Sequence, residues 1–108
     1  MTTPDLPGPV RRAIDAATGD DTDGFLAAFG ATGSVDDWGR VFTGPDAIRG
    51  WSDAEFIGQQ VSLDVTGVRT EGGVVTVAAQ VGGKGFNGPS HFAFTVEGDH
   101  VALMRITA

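Results

Sequence analysis

The 108-residue chain carries 14 acidic against 7 basic residues, a formal net charge of −7, and is 41% hydrophobic and 19% charged. Those proportions describe one globular domain with its own core, and the negative field works against phosphate backbones and anionic membrane surfaces, so neither nucleic acid nor a membrane is an expected partner. The chain has no cysteine, which removes disulfides, thiolate metal sites and a thiol nucleophile, and it has no run of about 18 apolar residues of the kind that spans a bilayer.

Residues 1–7 are proline-rich and polar and read as a loose leader. They show no basic segment followed by an apolar block, so no secretory signal is visible and the cytoplasm is the expected compartment. Gly8 and Pro9 resemble a helix start, and Val10, Ala13, Ile14 and Ala17 recur at helical spacing, which predicts a first helix near 9–18 closed by Gly19. The acidic run Asp20, Asp21, Thr22, Asp23 lacks the alternation and the later glutamate of a calcium loop. It reads as an N-cap placing negative charge at the positive end of a second helix near 22–29, which buries Phe25, Leu26 and Phe29.

Gly30 and Gly33 break that helix and open a short strand from Ser34 to Trp38, with Gly39 and Arg40 as a turn and Val41 and Phe42 as a brief extension. Gly44-Pro45-Asp46 starts a third helix running to about residue 57. From Gln59 the period changes. Val61, Leu63 and Val65 alternate with polar residues, as do Val75, Val77, Ala79 and Val81, with Glu71-Gly72-Gly73 as the hairpin turn between them and a parity shift at Gly67 that predicts a bulge. Gly82-Gly83-Lys84-Gly85 leads into a strand near 86–97, and Glu97-Gly98-Asp99 turns the chain into a final strand, 100–107. Helices first and strands afterwards give an α+β fold: three helices packed on one face of a curved antiparallel sheet of one short and four longer strands, a cone with an interior.

The chemistry concentrates in Ser34 to Trp51. Successive strand residues face opposite ways, so at most one of Asp36 and Asp37 enters that interior. A carboxylate brought among rings such as Trp38 and Trp51 without a partner costs several kcal/mol or takes up a proton, which marks a site rather than a stabilising feature. Phe92, Phe94 and Val96 share a face with Ser90, so Ser90 looks inward and His91 outward or toward a dimer interface. With only His91 and His100 available, no metal site is expected. Gly83 to Gly88 fits G-x-G-x-x-G but opens a strand instead of a helix and reads as hairpin chemistry. Arg105 reads as an ion-pair partner of a surface acid.

The succession TGDDTDGFLAAF, SVDDWG, GPDAIRGW and PSHFAFTVEGDHVALMRI resembles the nuclear transport factor 2-like superfamily in its SnoaL-like, ketosteroid-isomerase-like branch, over nearly the whole chain. The resemblance implies a cone-shaped pocket for a small, largely apolar molecule, commonly in a homodimer, and a general base at Asp37. It places the family's hydrogen-bonding acid at Ser90, its oxyanion tyrosine at Ala13 and its supporting tyrosine at Ser52; this chain has no tyrosine, so the partners that stabilise an enolate are missing. Met104, between Ala102 and Ile106 on one strand face, is drawn toward the pocket by the same resemblance. The expectation is a small cofactor-free enzyme of isomerase, cyclase, dehydratase or hydrolase type. Asp37 is its base, and the ligand lies among Trp38, Trp51, Phe86, Ser90, Phe92 and Met104. The alternatives are a carrier using the same cavity without turnover and a module whose cone supports assembly.

Overall fold

The structure, a computed structural model, describes residues 6–107, so most of the expected leader and the last residue lie outside it. Three α-helices, α1 (Gly8–Thr18), α2 (Thr22–Phe29) and α3 (Pro45–Glu55), precede the long strands. The strands are β1 (Ser34–Asp37), β2 (Arg40–Thr43), β3 (Ser62–Glu71), β4 (Val74–Gly82), β5 (Gly88–Glu97) and β6 (His100–Thr107). They form one curved, unclosed sheet in the order β2-β1-β6-β5-β4-β3.

The helices begin where local chemistry allows. Proline stands in the first turn of α1 and of α3, where its missing N–H has no intrahelical acceptor to lose. The Asp21 carboxylate accepts from Gly24 N at 2.9 Å and so caps α2. Val10, Ala13, Ile14 and Ala17 form the buried stripe of α1, and Phe25 meets Phe29 edge-on with ring centres 5.0 Å apart on α2. The inward residues of β4 and β5, Val75, Val77, Ala79, Val81, Phe92 and Phe94, close the core from the sheet side.

Three details of the sheet differ from the expectation. The brief extension at Val41 and Phe42 is a full edge strand, β2, paired antiparallel with β1. The turn between them is Trp38-Gly39, with Arg40 already in β2. And β1 pairs parallel with β6, Asp37 standing opposite Ile106, so the sheet is mixed. The bulge does fall between Val65 and Gly67 on β3. A 3-10 turn, Ile57–Gln59, follows α3 and turns the chain under the sheet. That turn is tight: a Cβ on Gly58 would lie 1.6 Å from the Asp53 carbonyl oxygen.

Candidate functional site

An open cavity of about 460 Å³ lies between α3 and the sheet, inside the range of small-molecule sites. Its apolar wall is made of Trp51 and Phe56 from the helical side and Val81, Phe92 and Ile106 from the sheet, with Val61 just ahead of β3. Trp51 and Phe56 stack with ring centres 4.9 Å apart, and Phe56 leans on Phe25 at 5.6 Å and Phe92 at 6.3 Å, so the wall is continuous with the core and held rigidly by it.

Asp37 stands at one end of this wall. Strand alternation sends the neighbouring acid the other way: Asp36 pairs with Arg105 at 3.3 Å and accepts from Gly39 N at 2.8 Å, so its role is to hold the turn. Asp37, with 16% of its side chain exposed, accepts from Trp51 Nε1 at 3.1 Å and from Arg40 Nη2, both at Oδ2. No donor among the described residues reaches Oδ1. The carboxylate is therefore not isolated among rings; Arg40 supplies the counter-charge that the sequence reading lacked.

Arg40 also makes a two-pronged pair with Glu55, Nη1 to Oε2 at 3.0 Å and Nη2 to Oε1 at 2.7 Å, and lies over the Phe42 ring at 5.7 Å. Hydrogen bonding and the charge of Arg40 hold the Glu55 carboxyl below its ordinary value, against a smaller opposing effect of burial. The same bonds, with Glu55 first and Asp37 second, raise the Arg40 guanidinium. Two carboxylates around one guanidinium leave the polar rim one negative charge in excess.

Of the residues expected at the site, Asp37, Trp38, Trp51, Phe86, Ser90 and Phe92 line the cavity. Ser90 is buried and donates to the Thr107 carbonyl at 3.1 Å, while its neighbour His91 is exposed. Met104 is a correction: it is 1% exposed, opposite Val35 and Phe94 in the sheet, and belongs to the core instead of the wall. Its strand-mate Ile106, two residues on, is the one that reaches the cavity. Ala13 and Ser52, where the resemblance places tyrosines, are both buried and neither lines the cavity. Sequence reasoning missed Arg40, Glu55, Phe56 and Gln59. Glu55 could have been found, because it stands four residues after Trp51 on one helix face.

No family model matches the chain, and neither does any curated protein. Solved structures do. A candidate polyketide cyclase from Sinorhizobium meliloti is 26% identical and superimposes with a TM-score of 0.85, covering 94% of this chain and 95% of its own. A hypothetical protein with a ketosteroid isomerase-like fold from Catenulispora acidiphila, solved in complex with trimethylamine, is also 26% identical, with a TM-score of 0.80 over 96% of this chain and 87% of its own. A nuclear transport factor 2-like protein of unknown function from Cytophaga hutchinsonii, 9% identical, shares the fold with a TM-score of 0.80 over 98% of this chain and 93% of its own. The chain has the nuclear transport factor 2-like fold, and the two likenesses at 26% identity support its place in that superfamily, in the SnoaL-like, ketosteroid-isomerase-like form.

Proposed function

We propose that the protein is a cofactor-free acid/base enzyme acting on a small apolar molecule held in the cavity, with Asp37 as general base. The observation that carries this reading is the asymmetry of one carboxylate: Oδ2 is held by Trp51 and Arg40, and Oδ1 has no donor among the described residues. A base so oriented keeps one oxygen for a substrate proton, and positioning of that kind contributes about 10²–10⁴-fold to a rate. The reaction is of the isomerisation, cyclisation, dehydration or hydrolysis type. The likeness to a candidate polyketide cyclase supports such chemistry, and the relative solved with trimethylamine supports occupancy of this type of fold by a small molecule.

A second reading, a carrier without turnover, is favoured by a different observation. Three side-chain donors of the wall are already spent within the chain: Trp51 Nε1 on Asp37, Gln59 Nε2 on the Ala54 carbonyl and Ser90 Oγ on the Thr107 carbonyl. None of these is aimed at a developing oxyanion, usually the largest catalytic contribution. A homodimer stays part of the proposal on the resemblance alone.

Native mass spectrometry of the protein purified from its own host tests both readings. The expected result is a non-covalent small-molecule adduct. If the protein is an enzyme, the wild type converts that molecule and Asp37→Asn binds it unchanged. A carrier returns the adduct unaltered from both forms. Protein that carries no adduct and takes up no small molecule from host extract overturns the cavity reading altogether.

A further inference from the structure

Trp38 is the residue that the fold explains least. It occupies the first central position of the two-residue turn between β1 and β2, with φ of 55°, followed by Gly39 at φ 91°. Two successive positive values are the signature of a type I′ hairpin turn, where asparagine, aspartate or glycine is the usual first residue. A bulky side chain at positive φ is an outlier that costs about 1 kcal/mol or more. The indole returns nothing visible to the fold for that strain. It is 65% exposed, and it takes part in no hydrogen bond or ring contact with the described residues. Trp51, in contrast, is 3% exposed, stacked on Phe56 and hydrogen-bonded.

Trp38 nevertheless lines the cavity, directly after Asp37. Phe86, in the loop between β4 and β5, lines it too, is 60% exposed and is likewise without a ring partner among the described residues. Both rings therefore lie in the wall of one open cavity with apolar area unburied, and one of them is held in a conformation its own side chain disfavours.

We infer that Trp38 is a ligand-contacting residue whose indole closes over an apolar, ring-bearing molecule with a hydroxyl directed at Asp37 Oδ1, Phe86 covering the same molecule. This rests on the cavity being a small-molecule site, as proposed above. The ligand class follows from the wall: rings and branched aliphatic side chains along its length, and one acceptor oxygen without a donor among the described residues. Strain at such a position is retained because the ligand, not the folded chain, buries the ring.

The test uses 2-naphthol as probe, isothermal titration calorimetry and thermal unfolding of ligand-free protein. Trp38→Asn replaces the indole with a residue suited to the turn. The expected result is a melting temperature equal to or above that of the wild type, together with a loss of affinity of about tenfold. Trp38→Phe, which keeps a ring at the same strain, retains most of the affinity. The inference is overturned if Trp38→Asn binds 2-naphthol as the wild type does, or if it melts lower by more than about 4 °C, which would make the ring a structural element. It is also overturned if that variant turns a dimer into a monomer with unchanged affinity. Equal binding by wild type and Trp38→Asn leaves the cavity reading standing, and a wild type that does not bind 2-naphthol overturns the inferred ligand class while the cavity reading keeps its own test.

Discussion

Trp51 Nε1 donates to Asp37 Oδ2 at 3.1 Å, so a ring from α3 fixes a carboxylate from β1 across 14 residues of chain. This bond couples the helix layer to the sheet at the point where the cavity meets its polar rim, and it can be measured. Trp51→Phe keeps the ring and removes the donor; Asp37→Asn keeps the shape and removes the charge. Each change is expected to cost about 1–2 kcal/mol in urea unfolding. The double variant is expected to cost less than the sum, because the second change removes an interaction already lost. Strict additivity would show that the bond contributes nothing to stability.

The Arg40–Glu55 pair gives the stability a defined acid limb. Glu55 titrates below its ordinary value of 4.5 in the folded chain, so its contribution is fully present above pH 4.5 and is lost as the pH falls through the lowered value. Both side chains are well exposed, so the effect after solvent screening is under about 1 kcal/mol. Glu55→Gln should be slightly less stable than the wild type at neutral pH and converge with it in acid. Thermal melts across that window check this; a constant gap at every pH would assign the loss to packing.

Two glycines a turn or two apart should respond with opposite signs. Gly50 sits on the exposed face of α3, and a Cβ there meets nothing within 4 Å. Gly50→Ala is expected to stabilise by about 0.5–1 kcal/mol. Gly58→Ala drives its Cβ into the Asp53 carbonyl and is expected to destabilise by about 3 kcal/mol, with Gln59 and the floor of the cavity displaced. Chemical denaturation of the pair decides it, and a neutral Gly58→Ala would mean that the 3-10 turn relaxes freely.

The helices were legible because Val10, Ala13, Ile14 and Ala17, and later Ile48 and Trp51, repeat at a period set by their own backbone. The long strands were legible for the same reason, down to the bulge at Gly67. Strand β2 was not: four residues between two glycines are too few for alternation to declare itself. The polar rim was only half visible. Asp37 stands out as the acid beside Trp38, and its pairing with Arg40 is only three residues long, across the tight turn; but the Arg40–Glu55 pair depends on the hairpin meeting α3, a relation 15 residues long that no local pattern encodes. Met104 and Ile106 share a strand face, and the alternation that places them there carries no mark of where core ends and cavity begins.

The parallel pairing of β1 with β6 has a consequence for the life of the chain. Asp37 on β1 lies opposite Ile106 on β6, and the two are joined only after everything between them has been made. Closing so distant a contact is entropically slow and comes late in assembly. A chain without β6 would hold Asp37 but not the strand that seats it.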